Sequence, residues 1–246
     1  MDAYLGVIGG MGPSATADFL MKLAEEAQAD RDQEHVPVLV WGDCRTPDRT
    51  RSLLYGDPSP LPYMLQAVFQ LPRLGARALV IPCNTAHAWA DDIVALSPAP
   101  LLHIVDAVGA VAQASKVRVL GLMATSGTLS AGQYPARLAA QGITVMTPEP
   151  PEQEQVSRGI ALAKAGRLAE ARDLFTGVHD ALLDRGVDMV ALACTEIPLA
   201  LQPLGPKSLD TTRALARASV RWWRDQAIAC DPDPDRQAVV RTGAFR

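Results

Sequence analysis

Short apolar runs separated by longer amphipathic stretches mark the first half of the chain. Residues 4–8 form an apolar run closed by the glycine-rich segment 9–13, a pattern typical of a buried strand and a tight loop. Residues 36–41 and 77–82 are similar runs, and residues 101–105 form a shorter one. The intervening stretches have the apolar spacing of helices, so the pattern predicts alternating strands and helices.

The same order recurs in the second half of the chain. Strands are predicted over residues 116–122, 143–146, 187–193 and 207–210, with helical stretches between them. The long polar segment 153–185 is predicted to hold one or two helices, interrupted near its internal glycine. A recurring order of matching segments indicates two similar units.

These patterns predict an α/β fold with two similar lobes related by a pseudo-two-fold axis. Each lobe is expected to hold a parallel sheet flanked by helices, because strands that alternate with helices pair in parallel. We expect residues 1–106 and 211–246 to form lobe 1 and residues 107–210 to form lobe 2. Ligands bind beyond the carboxyl ends of such strands, which predicts an active site in the cleft between the lobes. The tail after Cys230 has little to bury and is expected to be loose.

Composition excludes several classes of function. The chain of 246 residues has a net charge of −4 and is 48% hydrophobic, so nothing favours a nucleic-acid partner. No apolar stretch is long enough to span a bilayer, and the N-terminus lacks the basic region of a signal peptide. Four cysteines without a C-x-x-C pair indicate reduced thiols and no zinc site, which favours a cytoplasmic protein without a metal.

Two of the cysteines occupy equivalent places in the repeat. Cys83 and Cys194 each end an apolar run and precede small polar residues and a predicted helix start. A helix start carries partial positive charge and free N–H groups, which can lower a thiol's pKa and hold a carboxylate. Two opposed thiols could remove and deliver a proton on opposite faces of one carbon, which would invert that centre.

Five motifs together resemble the aspartate racemase branch of the aspartate/glutamate racemase superfamily. The motifs are Gly9-Gly-Met-Gly-Pro-Ser-Ala-Thr16, Pro47-Asp-Arg-Thr50, Pro82-Cys-Asn-Thr-Ala-His87, Leu122-Met-Ala-Thr-Ser-Gly-Thr128 with Tyr134, and Cys194-Thr-Glu-Ile-Pro198. They cover nearly the whole chain up to about residue 220. Gly9-Gly10 and Glu196 replace the Asp-Ser pair and the histidine of glutamate racemases, which favours the aspartate-type branch.

The resemblance implies a racemase that works without a cofactor and acts on aspartate, or also on glutamate. It implies two acid/base residues, Cys83 and Cys194, and a homodimer. The residues that it implies for substrate binding are Met11, Arg49, Asn84, Thr85, Thr125, Thr128, Lys164, Thr195 and Glu196. Arg49 and Lys164 would hold the second carboxylate, although the sequence around Lys164 matches less closely. His87 could orient a thiol or simply pack.

Several other functions are compatible with the residues. A hydantoin racemase, a maleate isomerase and a malonate decarboxylase share the superfamily, and a two-lobe protein could bind a dicarboxylate without catalysis. The paired thiols argue against a decarboxylase, which needs one proton donor, and against a binding protein, which needs none. The two cations argue against a hydantoin, which lacks a second acidic group.

Overall fold

Seven strands, eleven α-helices and two short 3-10 helices (Asp32–Glu34 and Thr85–Trp89) lie within residues 3–230, the part of the chain that the computed structural model describes. The strands are β1 (Tyr4–Gly9), β2 (Val38–Gly42), β3 (Ala76–Val80), β4 (Val119–Ala124), β5 (Thr144–Met146), β6 (Met189–Ala193) and β7 (Ser208–Asp210). The helices of the first half are α1 (Pro13–Ala27), α2 (Arg49–Tyr55), α3 (Leu61–Arg73), α4 (Ala90–Leu96) and α5 (Ile104–Ala114). The second half holds α6 (Ser126–Ala131), α7 (Gln133–Ala139), α8 (Pro150–Lys164), α9 (Leu168–Asp184), α10 (Glu196–Ala200) and α11 (Thr211–Cys230).

The strands form two parallel sheets, which confirms the predicted α/β fold with two similar lobes. The first sheet has the order β2-β1-β3 and the second has the order β5-β4-β6-β7. The order β5-β4-β6 in the second sheet matches β2-β1-β3 in the first, so β4, β5 and β6 correspond to β1, β2 and β3. All the pairings between these strands are parallel, as βα alternation requires.

One prediction about local structure is wrong. Residues 101–105 do not form a strand, since only Leu101 makes a bridge, to Leu79, and α5 already begins at Ile104. The ring of His103 ends the extended segment by accepting the N–H of Val105, as a helix cap does. The segment that begins at Arg49 forms α2, and the side chain of Asp48 caps that helix by accepting the N–H of Arg51.

One hydrophobic core contains residues of both lobes. It contains Leu5 and Phe19 from the first half, Leu122 from the second and Leu215 from α11, all almost fully buried. Helix α11 packs along α1 and α5. The prediction for the tail beyond Cys230 falls outside the described residues. No helix within residues 3–230 combines the length and apolar character needed to cross a membrane.

Candidate active site

A cleft opens where the carboxyl ends of the strands of both lobes meet, and its lining contains ten of the eleven predicted site residues. Its empty volume is about 360 Å³, part of it open to solvent. The lining residues that sequence reasoning named are Met11, Arg49, Cys83, Asn84, Thr85, Thr125, Lys164, Cys194, Thr195 and Glu196. Thr128, the eleventh, lies behind this lining.

The two cysteines reach the cleft from equivalent positions. Cys83 follows β3 and Cys194 follows β6, the matching strand of the second sheet. Their residues are only 8% and 7% exposed, yet both line the cleft and both are free thiols. The cleft is therefore lined by one thiol from each lobe.

The carboxylate of Glu196 lies directly beside the thiol of Cys194. The Sγ of Cys194 donates to Oε2 of Glu196 at 2.9 Å, and the hydroxyl of Thr195 donates to the same oxygen at 3.0 Å. Burial of the thiol and the adjacent negative charge raise the pKa of Cys194 well above its usual value. The prediction that a helix start would lower this pKa is therefore wrong for Cys194, because burial and Glu196 outweigh the five-residue helix α10.

Asn84 is fixed by bonds to the second half of the chain. Its Oδ1 accepts the hydroxyl of Tyr134 at 2.6 Å, and its Nδ2 donates to Oγ1 of Thr211 at 3.0 Å. Its backbone carbonyl accepts Nε2 of Gln133 at 2.7 Å. Burial also raises the pKa of Tyr134, which keeps its hydroxyl protonated and able to donate. One side-chain N–H of Asn84 stays free of these contacts, so the residue can offer a rigid donor to a ligand.

Three threonine hydroxyls form a closed triangle across the cleft. Oγ1 of Thr85 lies 2.9 Å from Oγ1 of Thr125 and 2.9 Å from Oγ1 of Thr128, and the last two oxygens are 3.0 Å apart. The close contact depends on Gly127, where a Cβ would lie 2.9 Å from Cα of Thr50. The triangle places hydroxyl groups from both lobes at one point of the site.

The two predicted cations differ in how they are held. Arg49 donates from Nη1 to the carbonyls of Thr46 and Pro47, at 3.3 and 3.0 Å, and from Nη2 to the carbonyl of Met11 at 3.3 Å. Because three of its five N–H groups bind backbone and its Nε is buried, Arg49 joins two loops and has one Nη2 hydrogen left for a ligand. Lys164 is exposed at the end of α8, and no carboxylate among the described residues pairs with it or with Arg49.

His87 does not contact either thiol. Its Nε2 bonds to the carbonyl oxygen of Ile81 at 3.1 Å, and its ring packs edge-on against His103 with centroids 4.3 Å apart. Burial lowers the pKa of His87 well below its ordinary value and lowers that of His103 to about 3, so both rings are neutral near pH 7. Of the two roles left open for His87, the packing role fits these contacts.

Two polar residues of the lining, and the apolar Ala193, were missed from the sequence. Asp48 and Thr50 flank Arg49 and face the same cleft. The Pro47-Asp-Arg-Thr50 motif contained both, but only the arginine had an obvious partner in an acidic substrate. Within residues 3–230, no three histidine, cysteine or acidic side chains come together as a metal site would require.

Gly10 holds the loop that carries Met11 against the loop after β2. Its φ is +87°, and a Cβ there would lie 2.5 Å from the carbonyl carbon and 2.6 Å from the nitrogen of Asp43. The glycine is therefore required both by backbone conformation and by the closeness of a second backbone segment. This explains physically why an Asp-Ser pair cannot replace Gly9-Gly10 with this loop unchanged.

Changing Gly10→Ala should destabilise the protein by about 3 kcal/mol or more, because strain and overlap with backbone act together. Gly142→Ala is the matched control, since Gly142 has a φ of +71° but open space around its Cβ position. It should cost only about 1 to 2 kcal/mol, the strain alone. Urea unfolding of the two variants measures both values, and equal losses would contradict the close-contact argument.

Comparison with known proteins finds one matching family model and several similar proteins that are named as racemases. The family model for Asp/Glu/Hydantoin racemase matches residues 8–219. A glutamate racemase of Pseudomonas entomophila is 31% identical over 205 residues, covering 77% of this chain and 75% of the relative. The broad specificity amino-acid racemase RacX of Bacillus subtilis is 23% identical over 228 residues, covering 88% and 96% of the two chains.

Solved structures resemble the fold over most of its length. The aspartate racemase of Picrophilus torridus superposes with a TM-score of 0.80 at 29% identity, covering 89% of this chain and 94% of that one. A glutamate racemase from Francisella tularensis, solved with D-glutamate, has a TM-score of 0.67 at 16% identity, covering 92% and 83%. The second likeness concerns the fold alone.

Proposed function

Because the chain belongs to the Asp/Glu/Hydantoin racemase family, we propose that it is a cofactor-independent racemase of acidic amino acids. Aspartate is the proposed substrate, and glutamate is the other acidic candidate. The observation that carries the proposal is the pair of thiols, Cys83 and Cys194, which enter one cleft from equivalent strands of two similar lobes. A protein that only binds a ligand has no need of two thiols so placed.

The proposed reaction removes one proton from Cα and delivers another proton to Cα from the opposite side. A thiolate on one side takes the Cα proton, so that an S–H bond forms as the C–H bond breaks. The thiol on the other side gives its proton to the resulting carbanion, and a new C–H bond forms on the opposite face. Each turnover leaves the proton on the other cysteine, and the stereocentre is inverted.

The residues around the thiols support the binding of a carboxylate next to the reacting carbon. The hydroxyls of Thr85 and Thr125 line the cleft and could turn from each other towards a ligand, and Asn84 keeps one free side-chain N–H, in a site that burial shields from water. Donors at that carboxylate would stabilise the charge that develops as Cα loses its proton. Lys164, with Arg49 nearby, supplies positive charge for a second carboxylate, which is why we favour an acidic substrate.

The proposal extends to the division of the chain and to its assembly. We assign residues 1–106 and 211–246 to lobe 1 and residues 107–210 to lobe 2; the packing of α11 on α1 supports placing the C-terminal helix in lobe 1. A homodimer follows from the resemblance, and a cytoplasmic location follows from the reduced thiols. Light scattering on the purified protein tests the dimer, and a monomeric mass would contradict it.

Incubation with L- and D-aspartate in heavy water, without added pyridoxal phosphate, tests the proposed function. We expect chiral chromatography to show conversion from either enantiomer to an equal mixture, with one deuterium in each newly formed product molecule. Glutamate and alanine serve as comparison substrates, and alanine should react far more slowly. Failure to invert either acidic amino acid would contradict the proposal, as would equal rates for alanine.

A further inference from the structure

The carboxylate of Glu196 occupies a position that substrate binding alone does not explain. It lies in a cleft proposed to bind a substrate with two carboxylates, yet no cation among the described residues pairs with it. Instead, both of its hydrogen-bond donors are neutral groups, the thiol of Cys194 and the hydroxyl of Thr195, at 2.9 and 3.0 Å. A carboxylate that accepts from a thiol favours the protonated thiol over the thiolate, because the thiolate would repel it.

We propose that Glu196 is a positioning residue that keeps the proton of the thiol pair on Cys194 in the ligand-free enzyme. This inference rests on the proposed two-thiol function and deepens it. The substrate enantiomer whose Cα–H faces Cys83 then meets an enzyme already in the correct form, with the acid on the opposite side. The other enantiomer requires the proton to move to Cys83 first.

The charged groups around Cys194 set the direction in which the pKa of the thiol pair should change when Glu196 is replaced. Glu196 opposes loss of the proton, while Lys164 lies close enough for its charge to favour the thiolate. Asp48, Arg49 and Cys83 are the other ionisable groups lining the cleft. Since one carboxylate faces the sulfur directly, its removal should lower the pKa at which the pair loses its last proton.

Racemisation imposes a constraint on how this can be measured. The two products are mirror images, so the equilibrium constant is 1 and kcat/KM must be equal in the two directions for every variant and at every pH. The pH profile of kcat/KM therefore reports on the thiol pair as a whole. The preference for one starting form appears instead in kcat and KM taken separately for the two enantiomers.

The test compares the wild-type protein with Glu196→Gln and Glu196→Asp. In Glu196→Gln, the alkaline limb of the kcat/KM profile should move to lower pH by about 1 to 2 units, the effect of removing a charge this close. The difference in kcat between the enantiomers should shrink. Glu196→Asp keeps the charge, so its alkaline limb should lie close to the pH of the wild-type limb. Asp48→Asn removes another carboxylate of the cleft that does not touch Cys194, and should leave the limb in place.

A second measurement does not depend on catalysis. In a Cys83→Ser background, the pH dependence of Cys194 alkylation by iodoacetamide can be followed by peptide mass spectrometry, which separates it from the exposed Cys44. Alkylation should begin at lower pH when Glu196 is glutamine. An unchanged alkylation profile would overturn the role of Glu196 even if racemisation is normal, whereas absence of racemisation in the wild-type protein would overturn the proposed function instead.

Discussion

Replacing either Cys83 or Cys194 with alanine should reduce racemisation by about 10³-fold, within the range that a positioned acid or base contributes. Each variant keeps one thiol and therefore one face of the substrate on which a proton can be removed. Both side chains are small and lie at the edge of the core, so the fold should survive the change. Cys44→Ala is the matched control, because that thiol is exposed and does not line the cleft.

The two alanine variants should also differ from each other in a way that only two opposed thiols predict. In heavy water, Cys83→Ala should exchange the Cα proton of one enantiomer without inverting it, and Cys194→Ala should do so for the other enantiomer. Proton NMR of the Cα–H signal, combined with chiral chromatography, measures exchange and inversion separately. If both variants exchanged the same enantiomer, the two-thiol arrangement would be wrong.

Lys164→Met should raise the KM for aspartate by about 10- to 100-fold, the loss of a charged hydrogen bond worth about 1.5 to 3 kcal/mol. Its ammonium group is the only cation of the cleft lining that is not already bonded to backbone within the described residues. The rate with alanine, which has no second carboxylate, should stay nearly constant, so the preference for acidic substrates should fall. Steady-state kinetics with both amino acids measure this preference.

Two further variants separate the role of Lys164 from general effects of charge. Lys207→Met removes a positive charge from an exposed position outside the cleft and should leave the KM for aspartate unchanged. Arg49→Met should lower the thermal midpoint as well as activity, because Arg49 joins the carbonyls of Met11 and Pro47. A Lys164→Met variant with normal discrimination against alanine would exclude this lysine from recognition of the second carboxylate.

The composition of the site could be predicted because parallel strands bring their carboxyl ends to one edge. Cys83, Thr125 and Cys194 follow strands that the apolar pattern identified, so their meeting at one cleft required only the sheet order. The same reasoning was wrong for residues 101–105, because apolar residues are equally common at the start of a helix. A short apolar run does not distinguish these outcomes.

The electrostatics of the site could not be predicted from the sequence. The pKa of Cys194 depends on how deeply packing buries the sulfur and on which way the Glu196 side chain turns, and neither has a local signal. Arg49 likewise looked like a free cation, since nothing in its motif reveals that three backbone carbonyls will accept its hydrogens. Hydrogen bonds between residues far apart in the sequence, such as Asn84 and Thr211, also could not be predicted from it.

The threonine triangle has a consequence for how substrate enters and product leaves. The two lobes share an apolar core, whose separation would expose hydrophobic side chains to water. Beside the cleft, the contacts of Thr85 with Thr125 and Thr128 are hydroxyl to hydroxyl, and water can replace each of them at little cost in free energy. Opening of the cleft for substrate or product is therefore expected to cost less free energy at these hydroxyl contacts than at the shared core.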